Sequence, residues 1–278
     1  MSSELAAYSS ESLTLLRSWL NRLVEEAETD RFVHEDPVQF VWRYPSKREK
    51  EIAGFFSALL AWGRREIVCT KLNELFDRFG NEPYRFVKEY HSGLFSHLKG
   101  FRHRTFKDRD IEALVCGLQS VYKKHEDFES YWREIYRDTG SDPEKLLNEF
   151  RQRFFSEVPN LPYRTRKHIA DPGKGSTCKR LCLLLKWFLR KGSPVDPGVW
   201  TFLSPAHLLI PMDVHVGRQS RRLGLLTRPS NDWKSVLELT DTLRKIDPAD
   251  PSRFDIALFT IGNSSIDIPN RLLVNPHC

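Results

Sequence analysis

Apolar residues recur at three- and four-residue steps along most of this chain, first as Leu13, Leu16, Trp19, Leu20 and Leu23, then as Ile52, Phe55, Phe56, Leu59 and Leu60. One apolar stripe per 3.6-residue turn predicts amphipathic helices. The same spacing predicts further helices over 111–122, 128–136, 143–155, 178–190, 214–223, 233–246 and 253–261. Alternating Val, Ile and Thr runs bounded by hairpin turns are almost absent, so the expected fold class is all-α. Gly and Pro punctuate the pattern at 80–83, 159–162, 172–175, 192–198 and 247–251, where they set turns or end helices. The break at Pro159–Pro162 is the expected lobe boundary. It divides a single two-lobed unit, 1–278, into a central lobe, 45–160, and a second lobe made of 1–44 and 161–278.

With 278 residues, 40% of them hydrophobic, the chain can bury roughly three quarters of its unfolded surface. The first twenty residues lack a basic region followed by a long apolar core, and no apolar run approaches the ~18 residues of a membrane span. A cytoplasmic protein is expected, with no membrane partner. Five cysteines, 69, 116, 178, 182 and 278, are an odd number and argue against a disulfide framework. Only Cys178 and Cys182 are close, no second pair completes a tetrahedral set, and His207 and His215 have no partner at ligand spacing; no metal is expected. Walker, HExxH and GxSxG motifs are absent.

Charge changes the picture more than composition does. The chain carries +6, yet Tyr163–Lys191 alone holds nine cations against one acid, Asp171, a net +8, so the remainder is slightly acidic. A nearly neutral protein with one concentrated cationic element points to an anionic partner such as a nucleic-acid backbone. Within that element Pro172-Gly173-Lys174-Gly175 reads as a glycine turn whose backbone N–H groups can hold phosphate. Ser176 is the candidate N-cap, which starts the helix near Thr177 and puts Lys179 in its first turn. A helix N-terminus carries about half a positive charge. Together with nearby Lys174 and Arg180, that favours a neutral, nucleophilic amine at Lys179. At 100° per residue Lys179, Lys186 and Arg190 form one narrow cationic stripe, opposite Leu181, Leu184, Leu185 and Phe188. The alternative role for that stripe is a solvated face.

A second segment, Ile210-Pro211-Met212-Asp213-Val214-His215, places Asp213 at the start of the next predicted helix. It is expected to cap that helix, and a carboxylate held there stays ionised and suits a base or a stabiliser of developing positive charge. The run Arg102-His103-Arg104 reads as a solvated loop.

At Lys179 and Asp213 a resemblance becomes specific. The PGKG turn before a lysine-bearing helix, followed by PMDVHV and then RRLGL, resembles the helix-hairpin-helix DNA glycosylase superfamily. More closely, CKRLCLLLKWFLRK, VDPGVW, IPMDVHVGRQSRRLGL and DPSRFDIALFTIG resemble an uncharacterised bacterial family, domain of unknown function 2400, over most of residues 30–262. Among the glycosylases the archaeal 8-oxoguanine branch is the most similar, because the Lys-to-Asp interval is long and a second lysine, Lys186, follows seven residues on. The lysine stands at 179, two positions later than in most of the superfamily. An iron–sulfur cluster is not implied, since after Cys182 only Cys278 remains.

The resemblance implies a two-lobed helix-hairpin-helix fold and a bifunctional DNA glycosylase/AP lyase, acting as a monomer without cofactor and associated with the nucleoid. Its substrate would be double-stranded DNA with an oxidised purine, 8-oxoguanine, flipped out of the helix. Lys179 would be the nucleophile and Asp213 its assisting carboxylate, with Lys186 as alternative nucleophile or base contact. Gly173, Lys174, Gly175, Ser176 and Arg180 would hold the DNA backbone. The helix over 51–63 is similar to the superfamily's first core helix, whose end wedges into the base stack, and Trp62, Arg64 and Arg65 stand there. The rival is a non-catalytic nucleic-acid-binding helical protein; a helical protein-interaction scaffold is a third reading.

Overall fold

The computed structural model describes residues 9–158, 161–264 and 266–274. The expected break at Pro159–Pro162 includes Pro159 and Asn160, which lie outside the described residues, as do Met1–Tyr8 of the N-terminal segment and Cys278. In chain order the helices are α1 (Ser10–Ala27), α2 (Asp30–Glu35), α3 (Gln39–Trp42), α4 (Lys47–Leu60), α5 (Arg65–Arg78), α6 (Pro83–Glu89) and α7 (Phe95–Leu98). They continue as α8 (Asp108–Lys124), α9 (Phe128–Thr139), α10 (Pro143–Ser156), α11 (Lys179–Leu189), α12 (Val214–Arg222), α13 (Trp233–Ile246) and α14 (Phe254–Asn263). Between α7 and α8 the strands β1 (Arg102–His103) and β2 (Phe106–Lys107) pair antiparallel, with Arg102 opposite Lys107 and His103 opposite Phe106. Among the described residues the protein is therefore all-α apart from this short hairpin. No described helix is long and apolar enough to cross a membrane.

The chain divides into two compact units. One comprises Val33–Asp171 and the short return Val199–Phe202; the other takes the segments up to Phe32, Pro172–Gly198 and from Leu203 onward.

In the Val33–Asp171 unit α4 is the central helix. Periodicity predicts one apolar stripe on it, but every residue from Glu51 to Leu60 is buried, because α3, α5 and α6 pack around it. Ser46 caps its start, accepting from the Glu49 N–H. An aromatic core lies beside it: Phe55 meets Phe154 at 5.4 Å and Phe128 at 5.6 Å, and Trp132 stacks on Phe150 at 4.0 Å. Helices α8 and α10 approach closely at Gly117, where a Cβ would fall 2.6 Å from the Phe154 ring.

One carboxylate organises the polar interior of this unit. Glu51 Oε2 accepts from the Phe128 N–H at 2.9 Å and the Tyr122 hydroxyl at 3.0 Å, and Oε1 accepts from the Glu129 N–H at 3.0 Å and Trp200 Nε1 at 2.8 Å. The first N–H groups of α9, orphaned by helix geometry, are thus satisfied from α4. Burial pushes the Glu51 carboxyl up to about 7, against the opposing pull of the Phe128 and Trp200 donors.

The second unit is built from α1 and α11–α14. In α1 four of the five residues of the expected stripe are buried, Leu16, Trp19, Leu20 and Leu23, joined by Val24, while Leu13 is half-buried. Helix α14 packs against both α1 and α12, and Gly262 permits the latter contact, since a Cβ there would lie 2.7 Å from that of His215.

Glu51 generates a test of the first unit. Replacing it by Ala orphans four buried donors at about 1–3 kcal/mol each before relaxation, so Glu51→Ala should lower stability by at least ~3 kcal/mol in urea unfolding. The pH dependence has a definite sign. A carboxyl raised from 4.5 to about 7 in the fold contributes stability that is full below pH 4.5 and is lost as pH rises to about 7. Relative to Glu51→Gln, the wild-type melting temperature should therefore fall across that window. A constant difference would show that Glu51 is not shifted.

Candidate functional site

The cationic segment Tyr163–Lys191 does not act as one element. Its first part, a 3₁₀ turn over Tyr163–His168, belongs to the Val33–Asp171 unit and is pinned there by buried Asp110. That carboxylate accepts from Arg164 Nη1, from Thr165 Oγ1 at 2.7 Å and from the Lys107 N–H at 2.8 Å, and His168 Nε2 lies 3.3 Å away.

The remainder begins with the glycine turn. Pro172–Lys174 forms a 3₁₀ turn closed by the Gly175 N–H donating to the Pro172 carbonyl at 2.8 Å, and Gly175 then adopts φ +78°, a conformation that favours glycine. Its own carbonyl accepts from the Trp233 N–H at 3.0 Å, tying the turn to the start of α13. Gly173, Lys174 and Gly175 are exposed, and Ser176 is half-buried.

The helix start differs from the expectation. Ser176 does not cap α11; its Oγ accepts from the Cys178 N–H at 3.3 Å, and Cys178 occupies the cap position in the left-handed conformation, φ +49°. The helix consequently begins at Lys179 rather than Thr177.

At that position the Lys179 amine meets Asp213. Nζ lies 2.8 Å from Oδ2, with 30% of the lysine side chain and 16% of the aspartate side chain exposed. The other carboxylate oxygen, Oδ1, accepts from the His215 and Val216 N–H groups at 2.9 and 3.0 Å and caps α12. Asp213 thus has one oxygen committed to a helix and one to the amine. Burial alone would raise its carboxyl, but the charge and hydrogen bond of Lys179 and the Val216 N–H outweigh that and hold it below the ordinary range. The sequence argument for Lys179 counted the helix start and nearby cations; the structure adds the Asp213 carboxylate in contact with the amine.

The expected cationic stripe is overturned at its other two members. Lys186 is buried, its side chain 4% exposed, with Nζ 2.7 Å from Asp255 Oδ1 and 3.6 Å from Asp196 Oδ2. Burial would lower its pKa, but the two carboxylates raise it, so it is a fixed ammonium; burial pushes Asp255 up to about 6. Arg190 is also buried, and its guanidinium contacts Glu28, Asp196 at 2.8 Å and Asp250 at 2.5 Å. Neither a solvated face nor a DNA-facing stripe describes these two residues. Lys186 is not presented to a ligand, which removes it as alternative nucleophile or base contact in this arrangement. Arg180 is half-buried, and burial lowers its guanidinium to about 10, so it remains a cation at neutral pH without standing open on the surface.

In the Val33–Asp171 unit the three residues at the end of α4 are disposed differently from one another. Trp62 is 47% exposed and Arg64 is exposed, whereas Arg65 Nε is 3.3 Å from Asp36 Oδ2 and is committed to that pair. The Arg102-His103-Arg104 run is not a solvated loop: it forms β1 and the hairpin tip, and His103 is buried. Sequence reasoning missed it although the alternation of buried Phe101, His103 and Phe106 with exposed Arg102 and Arg104 carried the signal. It also missed Glu28, Asp196, Asp250 and Asp255, for which no local pattern exists.

Among the described residues no three His, Cys, Asp or Glu side chains are grouped to hold a metal ion. What the site offers is an amine and a carboxylate in contact at two adjacent helix starts, beside an exposed glycine turn. This defines a helical protein with a lysine–aspartate site. The chain belongs to the family described as protein of unknown function (DUF2400), whose model matches residues 36–264. No curated protein and no solved structure matches the chain.

The divided role of Asp213 can be tested by two substitutions. Asn caps helices about as well as Asp, so Asp213→Asn should keep stability within about 0.5 kcal/mol, whereas Asp213→Ala should cost roughly 1–2 kcal/mol in denaturant unfolding. In the buried cluster, Lys186→Ala takes the ammonium from Asp255 and leaves Asp196 with Arg190 alone, and should cost about 3–5 kcal/mol. A loss under 1 kcal/mol there would mean that the ion pairs do not hold α11.

Proposed function

We propose that this protein is a DNA glycosylase/AP lyase that excises an oxidised purine, with Lys179 as nucleophile and Asp213 as its proton acceptor. The observation that carries this reading is the 2.8 Å contact between the Lys179 amine and the Asp213 carboxylate, partly open to solvent. Its second support is the resemblance of the PGKG turn, the lysine helix and the PMDVHV segment to the helix-hairpin-helix glycosylases. That resemblance supplies the substrate, a duplex bearing 8-oxoguanine, the monomeric state and association with the nucleoid.

The geometry accommodates the chemistry. In the free protein the Asp213 carboxylate is held ionised against the amine. DNA closing over the pair removes water, which penalises separated charges and favours proton transfer along the hydrogen bond, leaving a neutral amine beside a protonated Asp213. The amine nitrogen then bonds to the sugar carbon of a flipped nucleotide as the glycosidic bond breaks and the base leaves with the bonding electrons. Asp213 returns its proton to the departing base, and the freed carboxylate passes a proton from nitrogen to the ring oxygen as the sugar opens, which leaves the protonated Schiff base. Lys174 and the N–H groups of the exposed turn are the groups available to phosphate, and Trp62 is the residue that the resemblance places against the base stack. The non-catalytic nucleic-acid-binding reading draws on the same contact, since Asp213 also joins α11 to α12 as a purely structural carboxylate would.

Borohydride trapping separates the two. Protein incubated with duplexes containing 8-oxoguanine or an abasic site should form a covalent adduct, absent in Lys179→Ala and slowed about 10²- to 10⁴-fold in Asp213→Asn, which preserves the cap. No adduct and no strand break with any such duplex would leave the non-catalytic reading. An adduct that survives Lys179→Ala would place the nucleophile elsewhere.

A further inference from the structure

The turn after α4 is more heavily engineered than a helix end requires. The last turn of a helix leaves carbonyls without intrahelical partners. Here two of the carbonyls in this region are met from the β1–β2 hairpin: His103 Nε2 lies 2.9 Å from the Leu60 carbonyl, and Arg104 Nε donates to the Trp62 carbonyl at 3.3 Å. Burial lowers the His103 pKa, so the ring is neutral, and the contact assigns its proton to Nε2. Arg104 sits at the hairpin tip with φ +52° and Gly63 at φ +119°. A Cβ on Gly63 would fall 2.3 Å from Arg104 Nη2, so glycine there both permits the backbone conformation and makes room for the guanidinium.

The result is an indole held out in solvent. The Arg104 guanidinium lies over the Trp62 ring, 5.8 Å from its centroid, while 47% of the residue remains exposed. Five of the seven tryptophans are buried to 6% or less; Trp42 and Trp62 are the two left outside. Of the neighbouring residues in the chain, Arg64 is exposed, against Glu66 in the first turn of α5, and Ile67 is an exposed apolar residue.

We infer that Trp62 and Arg104 form a binding site for an unpaired nucleobase in single-stranded or locally opened nucleic acid, with the base on the indole and the flanking phosphates on Arg104 and Arg64. An exposed aromatic ring beside a guanidinium group matches the two chemistries a single strand offers, a flat base and an anionic backbone. Arg104 is a positioning residue as well as a phosphate contact, since its hydrogen bond fixes the Trp62 backbone. The inference rests on the nucleic-acid part of the proposed function and is independent of Lys179 chemistry.

The test is fluorescence anisotropy of a labelled, undamaged single strand of about twelve nucleotides, a length within one such binding site, titrated at several salt concentrations. Trp62→Ala should weaken binding on the order of tenfold with the salt slope unchanged, and Trp62→Phe should retain most of the affinity. Arg104→Gln should weaken binding and also reduce the slope of log K against log salt by about 0.7, the signature of one lost phosphate contact. A purely structural role for Arg104 would leave that slope alone. No binding by the wild type, or equal binding by Trp62→Ala, overturns the site, and the patch would then suit a protein partner instead. If borohydride adducts form while Trp62→Ala binds normally, this inference fails and the lyase reading stands; if no adduct forms but both variants bind weakly as described, the reverse holds.

Discussion

A charge can be kept inside a helical core only if an opposite charge or a full set of donors is brought to it. In the unit that carries the candidate site, this constraint falls on α11. Arg190 and Lys186 are both buried, and their carboxylates come from Glu28 just past α1, Asp196 in the segment after α11, Asp250 before α14 and Asp255 within it. Such a cluster fixes register. Rotating α11 by one residue, about 100°, would swing both cations away from their partners into apolar surroundings. Lys179 lies on the same stripe, seven and eleven residues earlier, so the buried pairs also fix the direction in which its amine points. Its meeting with Asp213 is a consequence of contacts made two and three turns away.

Two carboxylates show how much the partner's charge matters. Glu51 and Asp213 are both largely buried, and both accept from the first N–H groups of a helix. Glu51 has only neutral donors and shifts upward; Asp213 has an ammonium at 2.8 Å and shifts downward. Dipoles at a helix start are worth less than desolvation costs a fully enclosed acid, whereas a full positive charge in contact reverses the balance. The same acid chemistry therefore gives a group that takes up protons readily in one unit and one that stays ionised in the other.

Helices were the most legible part of the chain. Periodicity predicts 233–246, the bounds of α13, and comes within a residue or two at one or both ends of α9, α10, α12 and α14. For α11 it comes within one residue at each end, 178–190 against Lys179–Leu189; what missed there was the Ser176 cap, because the left-handed turn at Cys178 is a matter of backbone conformation, which residue type alone does not record. The wheel that groups Lys179, Lys186 and Arg190 is geometrically sound, yet a wheel says nothing about what stands opposite a face. Glu28 lies 162 residues from the arginine it pairs with, and no local pattern signals that. Asp213 was readable as a cap from its place after Pro211, but its contact with Lys179 depends on how α11 and α12 pack. The hairpin at Arg102–Lys107 was hidden because its inward residues include a histidine, which reads as polar in a run of arginines.

The bond from the Trp233 N–H to the Gly175 carbonyl joins two segments 58 positions apart in sequence. Trp233 is the first residue of α13, so its amide has no partner within the helix and depends on the glycine turn for protection from water. Anything that lifts or reshapes the turn, an anion settling on its N–H groups included, exposes that amide. The exchange rate of a single backbone proton at the head of α13 is therefore a built-in gauge of the conformation of the Pro172–Gly175 turn.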